Sequence, residues 1–261
     1  MEPALWVSKT GLDAQDKQIA NIANNLANVN TTGFKKGRAI FEDLIYQNLM
    51  QAGAQATQTT EIPTGINMGS GVHMVSMQKV FTEGGILNTQ NPLDVAIQGN
   101  GFFQVLLPDG TQAYTRDGTF QINSQGQIVT ASGYVLQPAI TIPQQALSIT
   151  IGQDGTVSVQ VAGNNTPTQL GVIQLNTFIN PAGLQPMGQN LFLQTVASGA
   201  VQTDNPGNIG LGTLLQGSLE ASNVNVVEEL VNMIQAQRSY EINAKGIQTV
   251  DSMLQYLNQT L

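Results

Sequence analysis

Apolar residues recur every seven positions at both ends of this chain, and nothing else in it constrains the fold as strongly. Near the start, Leu5, Leu12, Ile19 and Leu26 form one row, joined by Ile22 and Val29 in the later heptads. Near the end, Val226, Met233, Tyr240, Ile247, Leu254 and Leu261 form a second, widened by Leu230, Ala236, Ala244, Val250 and Leu257. A heptad repeat marks a helix packed along a partner. The spacing therefore predicts helices over about 4–30 and 226–260, the first roughly 40 Å long at 1.5 Å per residue. Ser8 and Gln15 leave the first seam imperfect. Asn225 with Glu228 three residues on reads as a capping box. Asn30 and Gly33 tolerate the left-handed conformation that ends helices, and Pro3 falls in the first turn, where proline is accepted. One stripe alone fits a helix lying on its own domain. Two in heptad register at opposite ends favour the ends pairing as a coiled coil.

The first helix also carries an excess of amides. Asn21, Asn24, Asn25, Asn28 and Asn30 stand among Ile22, Leu26 and Val29 in NIANNLANVN. Asparagine is a mediocre helix former because its side chain competes for backbone hydrogen bonds. All five fall off the seam, so they are expected to contact neighbouring subunits or a lumen, where an amide can donate and accept against a copy of itself. On that expectation, glutamate at 24, 25 and 28 would spare a monomer and damage a polymer.

The middle reads as β structure. DVAIQGNGFFQVLLPDGTQAYTRDGTFQINSQGQIVTASGYVLQP alternates apolar and polar residues between Pro-Asp-Gly, Arg-Asp-Gly, Ser-Gln-Gly and Ser-Gly turns. In SITIGQDGTVSVQV, Ile149 and Ile151 are answered across Gln-Asp-Gly by Val157, Val159 and Val161. Strands at this spacing without intervening helices imply an antiparallel sandwich or barrel-like domain. Residues 47–72 show neither period and read as an extended connector. The expected organisation is α+β: a discontinuous terminal-helix coiled-coil core over 1–35 and 222–261, an extended connector over 36–75, and an inserted antiparallel β domain over 76–221.

Residues suited to catalysis are scarce. Cysteine is absent and His73 is the one histidine, which excludes disulfides, thiolate chemistry and His-pair metal sites. Glycosidase chemistry needs two placed carboxylates, but Glu42 with Asp43 and Glu228 with Glu229 are sequence neighbours near helix ends, where dipole-complementing roles suffice. Asp109, Asp117 and Asp154 each precede a turn glycine, and turn chemistry accounts for them. No enzyme, cofactor or metal site is expected. Between Arg38 and Arg238 the chain holds few basic residues, and its net charge is -8, so no nucleic-acid face is expected. No run of about 18 apolar residues suggests membrane insertion, and the N-terminus lacks the pattern of a cleaved secretory signal.

Only 10% of residues are charged while 41% are hydrophobic, so the surface depends on amides and hydroxyls. In a homopolymer a surface charge often faces its own kind, whereas amides pair with copies of themselves. Non-closing heterologous contacts generate helical filaments. These observations point to a self-assembling structural protein. A secreted carbohydrate-binding or adhesive protein explains the β domain but leaves both heptad ends unused, and a glycan hydrolase lacks its carboxylate pair.

IANNLANVNTTGFKKGRAIFEDL and LEASNVNVVEELVNMIQAQRSYEINAKGIQTVDSML closely resemble the terminal regions of the bacterial flagellar rod and hook axial family, and GNGFFQVLLPDGTQAYTRDGTFQINSQGQIVTASGYVLQP continues the resemblance. Within the family the likeness is greatest to the distal-rod member; hook and proximal-rod members remain alternatives, which domain size and the connector AGAQATQTTEIPTGINMGSGV argue against. The resemblance implies many copies stacked helically into a rigid, torque-transmitting shaft, with the proximal rod proteins, the hook protein, the peptidoglycan-layer and outer-membrane ring proteins, and the flagellar type III export apparatus as partners. It implies a basal-body location from periplasm to outer membrane, and export without a cleaved signal. Carried over, Leu5, Leu12, Ile19, Ile22, Leu26 and Val29 would pack on Val226, Leu230, Met233, Tyr240, Ile247 and Leu254. Gly53, Gln55, Pro63, Gly65 and Gly69 would belong to a connector that supplies rigidity.

Overall fold

The computed structural model describes residues 2–53, 55–57, 60–61, 63–162, 166–208 and 210–260, without the side chains of residues 2, 55–57, 60–61, 257, 258 and 260. The expected seam position Leu261 and the side chains of Leu257 and Gln55 lie outside the described residues. The chain divides into two units.

The helical unit contains Met1–Ala27, Gly37–Gln78 and Asn225–Leu261. Helix α1 spans Glu2–Ala27 and α2 spans Val226–Thr260. The predicted helix 4–30 thus ends three residues early: the chain turns at Asn28, whose carbonyl accepts from Thr31 N. At the start of α2, Asn225 Oδ1 accepts from Val227 N at 3.1 Å and from Glu228 N at 3.4 Å, so the N-cap forms as expected. The helices run antiparallel against each other. Gly246 approaches Ser8, and a Cβ on Gly11 would lie 3.0 Å from Asn243 Nδ2. A mid-helix glycine costs about 1 kcal/mol relative to alanine; here both are spent on close approach.

The connector is not an unpaired extended segment. Gly37–Asp43 pairs with Val72–Lys79, Gln47–Met50 pairs antiparallel with Ile66–Met68, and Gln55–Thr57 pairs with Thr60–Glu61. Gly53 turns at φ 81°, a Cβ on Gly69 would lie 3.4 Å from the Tyr46 ring, a Cβ on Gly65 would strike the Met50 carbonyl, and Pro63 is exposed. The hairpin groups with the helices rather than standing as a separate segment, while residues 28–36 group with the β unit. No alternation betrays the pair Gln47–Met50 and Ile66–Met68 in the sequence, because both strands are exposed at every position.

The β unit contains Asn28–Lys36 and Lys79–Val224. Its main sheet has seven strands in the order Phe120–Ile122, Ile128–Thr130, Val135–Gln137, Phe103–Leu106, Gln112–Thr115, Leu191–Leu193 and Gln185–Gly188, joined by antiparallel ladders. A three-stranded sheet, Ala146–Ile151, Thr156–Val161 and Thr168–Val172, carries the second predicted hairpin. Successive side chains on a strand point to opposite faces, and the pair Phe102-Phe103 shows the consequence. Phe103 enters a core with Val95, Ile97, Phe120, Leu136, Val157 and Leu175. Phe102 enters another with Tyr114, Phe178, Leu184 and Phe192, where the rings meet edge to face.

The predicted turns at Gly110, Gly126, Gly133 and Gly155 form, each glycine at φ between 82° and 87°. Arg-Asp-Gly at 116–118 does not make a hairpin; it carries the chain from Gln112–Thr115 to Phe120–Ile122, which are not neighbours in the sheet.

Two turn aspartates are tuned by the same threonine device. Asp109 Oδ1 accepts from Thr111 Oγ1 at 2.6 Å and Thr111 N at 2.9 Å; Asp154 Oδ1 accepts from Thr156 Oγ1 at 2.7 Å and Thr156 N at 3.1 Å. The hydroxyl bond, followed by the amide bond, lowers each carboxyl below its ordinary 3.8. A lowered acid contributes stability above its unfolded value and loses it as pH falls through the folded value, so this contribution fades below about pH 3.8. Carboxyl NMR titration should give midpoints below 3.8 for both, rising in Thr111→Val and Thr156→Val respectively. Midpoints unmoved by those substitutions would remove the hydroxyls from the explanation.

Candidate assembly surface

On α1 the predicted seam residues Leu5, Leu12, Ile19 and Leu26 are half-buried and Ile22 is buried, together with Ala14. Val29 lies beyond the helix, in the β unit. On α2 the packed face is rotated from the expected one. Met233, Ile247 and Leu254 are half-buried, but Val226, Leu230 and Tyr240 are exposed. The row turned inward instead contains Glu229, Ala236, Asn243, Gly246 and Val250. The close approach is local: Gly11 faces Asn243 and Gly246 faces Ser8, and the side of α2 carrying Asn243 and Gly246 is the one turned to α1. Continuing the antiparallel register at 3.6 residues per turn brings Ile22 towards Asn232 and Asn25 towards Glu229.

That rotation leaves a second apolar row on the opposite side of α2. Val227, Val231, Ile234, Ile242, Met253 and Tyr256 lie on one row at helical spacing, interrupted by Arg238, Lys245 and Thr249, and all six are exposed; Val227 and Ile242 reach 70% and 69%. A helix apolar on two faces is suited to burial on both, and among the described residues this row stays exposed. At the start of α1 an open furrow of about 440 Å³ is lined by Pro3, Trp6, Gln47, Met68, Gly69 and Ser70, adding Trp6 and Met68 to the exposed apolar surface. Contiguous apolar exposure of this kind marks an interaction surface.

The amides divide. Asn24 and Asn30 are exposed and Asn28 is half-buried. Asn21 and Asn25 are buried, Asn25 to 1% exposure, and both Nδ2 groups donate to Gly37 O at 2.9 Å; Gly37 N donates back to Asn25 Oδ1 at 2.8 Å. They are therefore not available to another subunit. Their role is to satisfy the backbone of a glycine held against α1, where any side chain would strike Asn21. Glutamate at 25 would not spare the monomer, because it places a carboxylate against that carbonyl.

The β unit holds a buried ion cluster that periodicity did not reveal. Lys35, Arg116 and Glu220 are each no more than 3% exposed. Glu220 Oε1 accepts from Lys35 Nζ and from Gly84 N at 2.9 Å, and Oε2 accepts from Arg116 Nη1 at 3.2 Å. Arg116 Nη2 donates to Gly99 O at 2.7 Å, its plane lies over Phe102, and its Nε is buried without a partner. Burial pushes Lys35 and Arg116 below their ordinary values, and Glu220 opposes the shift in both. Burial likewise lowers Lys79, whose ammonium lies over Phe34. His73 is exposed on its strand, as expected. Among the described residues no group of three His, Asp or Glu could hold a metal ion, and no helix is long and apolar enough to cross a membrane.

Three family models match along the chain: a flagella basal body rod protein model over residues 5–35, the flagellar hook protein FlgE/F/G D1 domain over 96–159, and the flagellar basal body rod FlgEFG protein C-terminal model over 215–260. The flagellar basal-body rod protein FlgG of Buchnera aphidicola subsp. Schizaphis graminum is 52% identical over 259 residues, covering 99% of this chain and 100% of that protein. This chain belongs to the flagellar basal-body rod family. The rod protein FlgG of Borreliella burgdorferi is 50% identical over 260 residues, 99% of this chain and 98% of the relative. A Bacillus subtilis flagellar hook-basal body complex protein, FlhP, is 31% identical over 268 residues, 98% of each chain. In this rod-family chain the first and last matches fall on the two helices and the segments next to them, and the central one falls in the seven- and three-stranded sheets.

Proposed function

We propose that this chain is a structural subunit of the flagellar distal rod, stacking helically with copies of itself into a rigid shaft that carries torque from the proximal rod to the hook. The observation that carries the reading is the second apolar row of α2, an uncovered face on a helix already packed on its other side. In a helical homopolymer each copy meets identical neighbours through non-matching patches, and this row and the furrow at Trp6 are two such patches. The exposed Asn24 and Asn30 and the half-buried Asn28 are further candidates for contact between copies. The names of the relatives support a place in the basal body. Ring proteins of the peptidoglycan layer and outer membrane, and the flagellar type III export apparatus, complete the partner set, with a location from periplasm to outer membrane.

The hairpin over 47–72, with Gly53, Gln55, Pro63, Gly65 and Gly69, is the element we assign to stiffness. Paired strands resist bending better than a loose linker, and its exposed Leu49, Met50, Ile66 and Met68 are available to neighbours. Electron microscopy of assembled protein tests both assignments. Removing 1–35 and 226–261 should abolish polymers, and removing 47–72 should yield curved or flexible rods. Polymers from the truncated chain would sink the helical assembly surface; straight, stiff rods without 47–72 would sink the role of the hairpin.

A further inference from the structure

The backbone leaves the β unit after Lys36, re-enters it at Lys79 and leaves again after Val224. These points are about 150 Å and about 500 Å of extended chain apart at roughly 3.5 Å per residue, yet one short segment, Glu220 to Asn223, binds the other two. Asn223 Oδ1 accepts from Lys36 N at 2.7 Å, while Asn223 Nδ2 donates to Val80 O at 2.8 Å and to Thr82 O at 3.2 Å. Val80 N donates to Lys36 O at 2.9 Å, closing a triangle. Three residues earlier Glu220 repeats the pattern. Its carbonyl accepts from Gly33 N at 2.8 Å, and its carboxylate takes Lys35 Nζ and Gly84 N. Lys35 Nζ also donates to Thr82 O at 2.8 Å, and Lys79 Nζ donates to Lys35 O at 2.9 Å.

Thus two side chains three residues apart each hold both other crossings, one by a neutral amide and one by a buried charge. Hydrogen bonds serving as ordinary loop satisfaction would go to the nearest backbone. Here they span 136 to 187 positions and converge on the points where chain enters and leaves. We propose that Glu220 and Asn223 form a load-sharing anchor: force arriving along any one crossing is carried by all three, so no single crossing segment is pulled from the β unit alone. The inference rests on the rod reading for the origin of the load, but the anchor is a property of the β unit by itself.

Hydrogen exchange on the soluble full-length chain tests it at single amides. In Asn223→Ala the amides of Lys36 and Val80 should both exchange roughly tenfold faster, the loss of one to two hydrogen bonds, while Phe103, Val105 and Tyr114 stay protected. Asn223→Asp keeps the acceptor for Lys36 N and loses the donor to Val80 O. A cooperative anchor still accelerates Val80, although the bond from Val80 N to Lys36 O is untouched. Acceleration confined to Lys36, with Val80 unchanged in both variants, would overturn the proposal. In cells carrying Asn223→Ala, swimming speed should fall more steeply with medium viscosity than in wild type; an unchanged dependence would overturn the load-bearing role. Absence of the wild-type chain from isolated basal bodies would defeat the rod reading alone, leaving the exchange result to decide the anchor.

Discussion

Glu220→Ala should destabilise the β unit by about 3–5 kcal/mol, the cost of leaving buried charge without its partner. Lys35 and Arg116 share this one carboxylate, both sit in low-dielectric surroundings, and burial already drags their protonation equilibria down. Without Glu220 the cluster becomes two buried cations near each other, and Gly84 N loses its acceptor as well. For a unit of this size each kcal/mol moves the melting temperature by about 2–4 °C, so the midpoint should drop by roughly 10 °C. Circular dichroism melts of purified protein measure it. A drop of less than about 2 °C would mean that water enters the cluster freely. Replacing Lys35, Arg116 and Glu220 together with apolar residues of similar volume should recover much of the loss, because the desolvation cost leaves with the charges.

The second large effect is on assembly. In Ile234→Asp with Ile242→Asp the monomer should stay folded, since both side chains are exposed and surface changes usually fall within about 0.5 kcal/mol. Burying an isoleucine at a contact contributes about 1.5–3 kcal/mol, and an unpaired carboxylate there adds a penalty. Losing two such contacts should raise the concentration needed for assembly by on the order of a hundredfold or more, at a factor of ten per 1.4 kcal/mol. Sedimentation and electron microscopy read this directly, with circular dichroism confirming the fold. Rods forming at the wild-type concentration would remove the outer row of α2 from the interface.

Much of the molecule is legible locally. The apolar repeats announce both helices because side chains on a helix return to one face every 3.6 residues. Asn225 caps α2 because its oxygen is in reach of the next backbone amides. Gly110, Gly126, Gly133 and Gly155 turn where they are expected because φ beyond zero is cheap for glycine alone. Illegible features share another property. The face of α2 that meets α1 is the one that brings Asn243 to Gly11 and Gly246 to Ser8, and α2 offers apolar rows on two sides. Asn21 and Asn25 look like surface amides until Gly37 is brought against them. Arg116 reads as a turn residue in Arg-Asp-Gly, yet it is buried on Glu220.

Sequence alone determined the two helices, the β character between them, the main hairpin turns and the family resemblance, because backbone geometry and turn chemistry act over a few neighbouring residues. Only the tertiary structure decided which row of α2 stays uncovered, that the connector is a paired hairpin, and that Lys35 meets Glu220 across 185 positions. Burial and ion pairing depend on what lies nearby in space, and no local period encodes that.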